Sequence, residues 1–419
     1  MKIVVVIPTR NRADLVPATI SSAIADGDSA VSVLVSDNST DTRQADSLAS
    51  WCADLGVERL RYLRPPSPLP MSTHWQWALE RALEDPTQTH VMYLTDRLVL
   101  RPGALAQLVT LVNAHPKEVI TFGDDVVLDY ETPVTLFERP WTGKLFRFRA
   151  DQLLRAVGRG IVLAAPTMLN TVAPRTVLAD IEAVYGSVFA SIAPDHCFSY
   201  RCLDRVDSIL HCDRPLIIQR GLWRSNGFSQ IRGVTNADHV DFLRELGDSS
   251  INQHAPVPAL LTVSNAIYNE YEYVRHEPGS SKLAPLSRHN YLGANARDVA
   301  RLENPELQAR MRRVLSEQGW SGWMQMRYLL GLSLSAAGYY WRRPRAVLRR
   351  LGRRAGTSAE FRDSEQALAY TLAHPSSPST EADHLWPLMS RPGAARELAS
   401  NLVADGSRRD RGHDPHAVL

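Results

Sequence analysis

The chain has 419 residues, of which 44% are apolar and 22% are charged, and its 47 Lys and Arg side chains nearly balance 45 Asp and Glu for a net charge of +2. This length gives room for two or three domains, and the composition is that of a globular protein, which excludes a chain disordered throughout. Four cysteines exclude a disulfide scaffold, and the small net charge argues against a surface built to bind nucleic acid, so we expect no nucleic-acid partner.

The basic side chains are concentrated towards the carboxyl end of the chain. Residues 301–354 contain twelve Arg and three Glu, so the remaining residues carry a net charge of about −7. Seven of these Arg fall within residues 342–354, directly after a stretch, 328–341, that has no charged side chain. The small net charge is therefore the sum of an acidic body and one basic segment.

Strand and helix patterns alternate over the first 125 residues, which is typical of a mostly parallel sheet covered by helices. The apolar run 2–8 predicts a strand buried on both faces, and residues 13–25 predict the helix that follows it. Further strands are predicted at 31–35, 60–63, 90–94 and 118–122, with helices at 42–55, 72–83 and 102–114. Because open α/β sheets bind ligands where their strands end, the candidate ligand loops are 8–12, 36–40 and 95–98.

The rest of the chain divides by pattern. Residues 126–250 are less regular, with helical stretches near 151–158 and 175–190, and the pattern beyond 255 is predominantly helical. We therefore predict a sheet domain over 1–250 and a helical C-terminal region over 251–371. The Pro/Ser-rich, charged tail 372–419 is predicted to be partly disordered.

Neither a secretory signal nor an apolar run of 18 residues is visible, so we expect a cytoplasmic protein that is at most peripheral to a membrane. The four cysteines form no paired metal motif and are predicted to be buried, reduced thiols. Residues 328–341 would span only about 21 Å as a helix, less than a bilayer core of about 30 Å. Two interpretations of residues 320–354 stay open, namely a helix on an anionic membrane surface and a core helix followed by a solvated basic helix.

Five segments occur in an order and spacing that are specific only when taken together. They begin at residues 4, 31, 70, 92 and 193 and read VVVIPTRNRADLVPATISSAI, VSVLVSDNSTD, PMSTHWQWALERAL, MYLTDRLVLRPGAL and APDHCFSYRCL. Through them, residues 1–230 resemble the family 2 glycosyltransferases, inverting enzymes of the GT-A fold that use nucleotide-diphospho sugars. The expected fold class is thus α/β, a GT-A-type mostly parallel sheet flanked by helices, with a predominantly helical C-terminal region.

The resemblance implies donor-binding roles for the loops that follow the first two strands. In the family the loop 8–12 lies against base and ribose, and the Asp after the second strand, here Asp37, accepts a hydrogen bond from a pyrimidine N3–H. An ionised carboxylate suits that task because it only accepts hydrogen bonds. The donor-binding residues implied in this way are Pro8, Thr9, Arg10, Arg12, Asp37, Asn38, Met71, Asp96 and Arg97.

The chain departs from the family at the metal motif. The family places an acidic cluster for Mg²⁺ or Mn²⁺ after its fourth strand, but the matching residues here are Asp96, Arg97 and Leu98. Leu98 offers no oxygen ligand, and a guanidinium is a poor neighbour for a divalent cation. Either Arg97 replaces the metal by neutralising the leaving diphosphate, or the chain is inactive and Arg97 is a surface residue. We favour replacement, hence no required cofactor, with Asp96 the candidate ligand if Mg²⁺ or Mn²⁺ binds.

Asp195, in the Ala-Pro-Asp-His segment 193–196, is the candidate catalytic base. In an inverting transfer the acceptor hydroxyl attacks the anomeric carbon opposite the leaving diphosphate, and a carboxylate takes the hydroxyl proton. One base is enough, because cations stabilise the leaving group. Two alternatives stay open: Asp195 as the N-cap of a helix over 196–203, and His196 as the base.

Three further patterns yield weaker expectations. Between two glycines, Arg224, Ser225 and Asn226 predict a lid that closes over a diphosphate, with an ordinary surface turn as the alternative. The acidic pair at 124–125 is interpreted as solvated loop acids. At least one of Trp75 and Trp77 is expected in the core, because residues two apart on a helix point to different faces.

The sequence thus predicts an inverting glycosyltransferase. It would move a sugar from a nucleotide-diphospho donor, with UDP favoured, to a hydroxyl of a glycan, a lipid-linked acceptor or a small molecule. The alternative is a catalytically inactive relative that binds a nucleotide or a glycan. A nucleotidyltransferase is disfavoured, because residues 8–12 replace the Gly-rich loop with which such enzymes hold a triphosphate.

Overall fold

A computed structural model describes residues 1–25, 29–130, 132–139, 141–160, 166–233, 236–246, 251–330, 359–374 and 377–378. Nearly all of the predicted tail 372–419, and residues 331–354 of the basic segment, lie outside these ranges. Within the described ranges, no helix is both long and apolar enough to cross a bilayer.

Eleven strands of the described chain form one sheet. They are β1 (Ile3–Thr9), β2 (Val31–Asp37), β3 (Leu60–Leu63), β4 (His90–Tyr93), β5 (Leu98–Leu100), β6 (Val119–Leu128), β7 (Val134–Phe137), β8 (Leu145–Arg149), β9 (Thr171–Pro174), β10 (Ser208–Gln219) and β11 (Glu360–Phe361). The sheet order is β11-β7-β6-β9-β4-β1-β2-β3, with β10 paired to β5, β6 and β8. The strands β4, β1, β2 and β3 are mutually parallel, and β6 pairs in parallel with β10. The remaining pairs are antiparallel, so the parallel half carries the predicted ligand loops.

The described helices cover the sheet and form most of the C-terminal region. They are α1 (Val16–Ala25), α2 (Thr42–Asp54), α3 (Met71–Leu83), α4 (Ala104–Ala114), α5 (Ala150–Gly158), α6 (Arg175–Tyr185), α7 (Pro194–Arg205), α8 (Asn226–Arg232), α9 (Ala237–Leu246), α10 (Val263–Arg275), α11 (Arg288–Val299), α12 (Pro305–Glu317), α13 (322–330) and α14 (Ser364–Ala373). The predicted architecture, an α/β sheet flanked by helices with a helical C-terminal region, is confirmed.

Strand β1 is buried along its whole length and separates two core layers. Side chains alternate across a strand, so Ile3, Val5 and Ile7 pack in one layer and Val4 and Val6 in the other. The first layer contains α1, α2 and α4, and the second contains α3, α5, α6, α7 and the helices α10–α12. The second layer therefore runs across residue 250, and the domain boundary placed there stays a prediction.

Most differences from the predicted elements arise at element ends. The helix predicted at 175–190 ends at Tyr185, because Gly186 takes a left-handed conformation with φ of 78°. Trp75 is buried and Trp77 only partly so, as expected from their spacing. The four cysteines are buried and free, also as predicted.

The acidic pair Asp124 and Asp125 corrects the sequence interpretation. The predicted strand 118–122 continues to Leu128, so both residues lie buried within β6 rather than in a solvated loop. The Arg101 Nε donates to Asp125 over 3.0 Å, and Gln219 Nε2 donates to Asp124 over 2.7 Å. Burial raises the pKa of Asp125 to about 6, although Arg101 opposes that rise. The partners lie far from the pair in sequence, so the local pattern does not reveal them.

Residues 359–374, which we call the C-terminal strap, return to the sheet. Within the strap, β11 pairs antiparallel with β7, and α14 packs against the same edge. The Arg101 Nη1 donates to the Thr371 carbonyl oxygen over 3.1 Å, and Arg220 Nη1 donates to Glu365 over 2.5 Å. The strap thus connects the C-terminal part of the chain to strands next to the predicted diphosphate loop.

Candidate active site

A cavity of about 640 Å³ opens where β1, β2 and β4 end. This is the place that parallel-sheet topology assigns to a ligand. It gathers residues from all three candidate ligand loops and from the segments after residue 190. The predicted site residues that line it are Pro8, Thr9, Arg10, Arg12, Asn38, Met71, Asp96, Arg97, Asp195, Arg224, Ser225 and Asn226.

Asp37 is the predicted site residue that does not line this cavity; it borders a second cavity of about 220 Å³. Its side chain has no exposed surface. One carboxylate oxygen accepts from the Ser39 backbone N–H and hydroxyl over 2.8 and 2.5 Å, and the other accepts from the Tyr62 hydroxyl over 2.7 Å. Three of the roughly four acceptor positions of the carboxylate are therefore occupied within the protein.

Asn11 joins the loops that follow β1 and β2. Its φ is 52°, a left-handed conformation that Asn tolerates better than most residues. The Asn11 side-chain oxygen accepts from the backbone N–H groups of Thr40 and Asp41 over 2.9 and 3.0 Å. The two loops are thus held at a fixed distance before any ligand binds.

The start of α3 forms another part of the wall. Met71 is the first residue of that helix, and the side chain of Asn38 exchanges hydrogen bonds of 2.7 and 2.9 Å with the backbone of Leu69 just before it. One turn further, His74 Nε2 lies 2.8 Å from the Ser36 hydroxyl. Burial lowers the pKa of His74 to about 3, so the ring is neutral and serves as a hydrogen-bonding spacer.

Asp96 holds a cation of the protein rather than presenting a free carboxylate. Arg12 Nη1 donates to Asp96 Oδ1 over 2.9 Å, and the Thr9 hydroxyl donates to Oδ2 over 3.2 Å. The other end of the Arg12 guanidinium donates to the Arg224 carbonyl oxygen over 2.8 Å. The loops after β1, β4 and β10 therefore meet at Arg12.

Arg97 is a cation of the cleft that has no protein anion bound to it among the described residues. Its stem lies against Gly221, where an added Cβ would come within 3.5 Å of Arg97 Cγ. Its Nε is buried and makes no hydrogen bond within the described chain. Burial lowers the pKa of Arg97, and Asp96 opposes that effect. A guanidinium whose Nε is buried without a partner offers a site for an anionic ligand.

The residues at this position do not fit a divalent cation. Both Asp96 oxygens are engaged, and Leu98 lies buried in β5, a strand that the sequence pattern did not reveal. The neighbouring guanidiniums of Arg12 and Arg97 would also repel a metal ion. In the part of the chain that the structure covers, no group of three His, Cys, Asp or Glu side chains could hold a metal.

Asp195 lies in the first turn of α7 and lines the cavity. The N-cap alternative is wrong, because the helix begins at Pro194 and its N-cap is Ala193. The Asp195 carboxylate makes no hydrogen bond or ion pair with the described residues. His196 lines the same cavity, so the alternative base remains a prediction.

Glu270 supports the segment that carries Asp195, and sequence reasoning missed it. It lies on α10 with no exposed surface, and its Oε1 accepts from the Ser191 hydroxyl over 2.9 Å and the Ile192 N–H over 3.4 Å. Ser191 has a φ of 60°, a conformation that needs such support. Burial raises the pKa of Glu270 to about 8, although those hydrogen bonds act to lower it. The amino-acid pattern carries little signal for Glu270, because α10 also holds Glu272 and other polar side chains and nothing in the sequence links position 270 to residue 195.

The residues proposed as a lid are engaged with the chain. Arg224 Nε donates to Asp238 over 2.7 Å, its Nη1 lies 2.8 Å from both oxygens of Asp14, and its Nη2 donates to the Asn11 carbonyl oxygen over 3.1 Å. Ser225 caps α8 by accepting from the Phe228 N–H. Asn226 Oδ1 is buried without a hydrogen-bond partner among the described residues. Lid movement stays a prediction, and it would have to break the Arg224 pairs.

Comparison with known proteins gives one family match. Residues 4–163 match the model described as Glycosyl transferase family 2. A search of curated proteins gave no match. Crystal structures of S. aureus TarS 1–349, alone and with UDP-GlcNAc, align with a TM-score of 0.42 and 14% identity over 77% of this chain and 93% of TarS 1–349. A longer TarS structure aligns at 0.40 with 14% identity over 75% of this chain, which spans 55% of that protein's length.

The matched residues run from β1 to just beyond α5. They contain the three candidate ligand loops, together with Asp96 and Arg97, but not Asp195, Arg224 or Glu270. The match confirms the resemblance found in the sequence, with residues 4–163 matching the family 2 glycosyltransferase model.

Proposed function

We propose that this protein is an inverting glycosyltransferase that moves a sugar from a UDP-linked donor to an acceptor hydroxyl. One observation carries the proposal: the Asp195 carboxylate and the Arg97 guanidinium face one cavity, and neither is paired within the described chain. A base and an anion site in the same cleft are what a single displacement at a sugar diphosphate requires.

The reaction is a single displacement at the anomeric carbon. The acceptor oxygen forms a bond to that carbon while the bond from the carbon to the diphosphate oxygen breaks, and UDP leaves with the electron pair. Asp195 takes the proton of the acceptor hydroxyl as the new bond forms. Arg97 neutralises the charge that develops on the diphosphate.

The nucleotide is proposed to lie along the loops after β1 and β2. The loop 8–12 contacts base and ribose, and Asn38 and Met71 form the adjoining wall. Asp37 has one acceptor position left beside those used by Ser39 and Tyr62, which suits the N3–H of uracil. The base then reaches the second cavity, which Asp37 and Asn38 both line.

We further propose that the transfer needs no metal ion. The available ligand atoms support this proposal, because Asp96 is neutralised by Arg12 and the remaining positions of the motif offer no oxygen ligand. The guanidinium of Arg97 takes the electrostatic role, with a fixed fork that can bind two phosphate oxygens.

A thermal-shift experiment on the full chain tests the donor site. UDP, GDP, ADP, uridine and UDP-GlcNAc, the last chosen because TarS 1–349 was crystallised with it, are each added in EDTA and in Mn²⁺. A nucleotide at about a hundred times its Kd stabilises the folded state by about 2.7 kcal/mol. We expect UDP to raise the Tm in EDTA, and more than uridine does. Stabilisation that requires Mn²⁺ would overturn the metal-free proposal.

Release of UDP from the donor separates an enzyme from a binding module. A transferase releases UDP when an acceptor is supplied, and slowly to water without one. An inactive relative would bind UDP with the same affinity but release none from a bound UDP-sugar. That outcome would favour the nucleotide-binding alternative.

We also propose that α13 and the basic segment after it contact an anionic membrane surface. On α13 the side chains of Trp323, Met326, Leu329 and Leu330 are exposed. In sequence they precede the seven Arg of 342–354, which lie outside the described residues. Apolar anchors followed by a basic run favour an anionic interface.

Vesicle sedimentation tests this contact. We expect binding to vesicles containing phosphatidylglycerol, weakened by salt and by Trp323→Ser. Trp223→Ser is the matched control, because Trp223 is also exposed but lies elsewhere. Equal binding to neutral vesicles, or equal loss in both variants, would contradict the proposal.

A further inference from the structure

Part of the cavity lining is apolar. Six apolar side chains form it: Ile192, Phe242, Ile251, Val263, Ala266 and Ile267. Three of them belong to α10, where Ala266 and Ile267 are each 8% exposed. None of the six lies on the loops that follow β1, β2 or β4, so this wall is separate from the proposed donor loops.

Helix α10 places this wall next to the catalytic base. Val263, Ile267 and Glu270 are four and three residues apart, so they share one face of the helix. Glu270 binds the segment that leads into Asp195, and Ile267 is three residues away, about 4.5 Å along the helix axis. The wall therefore begins within about one helical turn of Glu270, which supports the segment that carries Asp195.

The two asparagine side chains of α10 between these positions form hydrogen bonds within the protein. Asn265 donates to the carbonyl oxygens of Val257 and Leu260 over 3.0 and 2.7 Å. The Asn269 side chain accepts from the His254 N–H over 2.9 Å and donates to Glu270 over 3.0 Å. A sugar placed against Val263, Ala266 and Ile267 would lose hydrogen bonds to water, because these three side chains offer none in return.

We propose that the acceptor hydroxyl belongs to a molecule with an apolar group, an alkyl or aryl moiety, that packs against the α10 wall. This inference rests on the proposed function and names the acceptor class for the same site. Each methylene buried here is expected to tighten binding roughly three- to fourfold, whereas a hydroxyl buried without a partner is expected to weaken it at least about fivefold. The wall thus selects an apolar acceptor against a free glycan.

A series of straight-chain alcohols tests the wall without assuming a sugar in the acceptor. The Kd values of 1-butanol, 1-hexanol and 1-octanol are measured calorimetrically on the full chain, with and without saturating UDP. We expect roughly three- to fourfold tighter binding for each added methylene. A gain that ends at hexanol indicates a compact aryl or short alkyl group, and a gain that continues to octanol indicates a lipid chain.

Two variants locate the binding. Val263→Thr keeps the branched shape, and Ile267→Thr keeps the branch at Cβ but loses the terminal methyl group. Both put a hydroxyl on the wall, and each is expected to weaken hexanol binding at least about fivefold. Val240→Thr is the matched control, since Val240 is exposed and outside the cavity. An unchanged Tm confirms that each variant folds.

The outcomes separate the two proposals. The apolar-acceptor proposal is overturned if the alcohols fail to bind, if affinity does not depend on chain length, or if the wall variants behave like Val240→Thr. The proposed donor site fails if UDP does not bind, whatever the alcohols do. Chain-length dependence without UDP binding would leave an apolar site in a protein that is not a UDP-sugar transferase.

Discussion

The two walls of the cleft treat charge in opposite ways. The donor wall is rich in arginine, and there Arg12 pairs with Asp96, Arg10 with Asp241, and Arg224 with Asp14 and Asp238. The α10 wall is apolar, and the nearby carboxyl group of Glu270 is buried and does not line the cavity.

Against this background, Arg97 and Asp195 differ from their neighbours. Each faces the cleft without a partner in the described chain, while the surrounding charges neutralise one another. The comparison shows that charge alone does not identify a ligand-binding side chain. The charged side chains that form ion pairs with one another shape the site, and the unpaired ones are available to a ligand.

The largest effect is expected at Asp195. Asp195→Asn keeps the shape of the side chain but removes the base, and we expect UDP release to an acceptor to fall roughly 10²- to 10⁴-fold. The affinity for UDP should stay unchanged. Asp54→Asn on the exposed end of α2 is the control, and His196→Gln tests the other candidate base. Full turnover in Asp195→Asn, with loss in His196→Gln, would move the base to His196.

The second effect concerns Arg97. Removing a charge-assisted bond costs about 1.5–3 kcal/mol, so Arg97→Met should weaken UDP binding roughly 10- to 150-fold. Uridine, which lacks the diphosphate, should bind as before, and Arg97→Lys should recover part of the loss. Arg43→Met is the control, because that side chain is 93% exposed. Equal losses for UDP and uridine would show that Arg97 supports the fold instead.

The third effect is a pH dependence that belongs to Glu270. Because burial raises its pKa to about 8 from an ordinary 4.5, the folded chain keeps a proton that the unfolded chain loses between those values. The free energy of unfolding should therefore fall as pH rises, by at most about 1.4 kcal/mol per pH unit. Glu270→Gln removes this titration, so its stability relative to the wild type should rise from pH 6.5 to 8 in denaturant titrations. Parallel curves for the two proteins would disprove the assignment.

The smallest effect on the reaction is expected at Asp14, on the solvent side of the donor wall. Asp14 is 63% exposed, and a pair of that kind contributes about 0.2–1 kcal/mol. Asp14→Asn should loosen Arg224 and change the KM for the donor no more than about fivefold, without a change in Tm. A larger change in kcat would indicate that release of Arg224 controls the reaction, as a lid would require.

The sequence predicted the residues of the donor wall better than those of the α10 wall. The loops 8–12, 36–40 and 95–98 converge because parallel strands end at one edge of a sheet, and strand patterns are readable from local sequence. Motif order then added Asp195, although it lies about a hundred residues further along the chain.

The remaining features depend on contacts between distant segments. One oxygen of Asp37 accepts a hydrogen bond from Tyr62, and the buried carboxylate of Asp125 accepts one from Arg101. Both donors lie on other segments of the chain. Glu270 reaches Ser191 across 79 positions, from a helical region without a motif. Helical periodicity indicates that α10 is buried on one face, but it does not indicate which segment that face meets.

The C-terminal strap has a practical consequence for work with shortened chains. A protein cut before residue 359 would lose β11 and leave β7 as an open sheet edge, a surface that pairs readily with other chains and promotes aggregation. It would also remove one hydrogen-bond partner from each of the buried side chains Arg101 and Arg220, namely Thr371 and Glu365, while Asp125 and the Leu15 carbonyl oxygen would remain. A fragment trimmed to remove the basic segment should therefore keep residues 359–374 through an internal deletion, because a simple truncation would yield insoluble material.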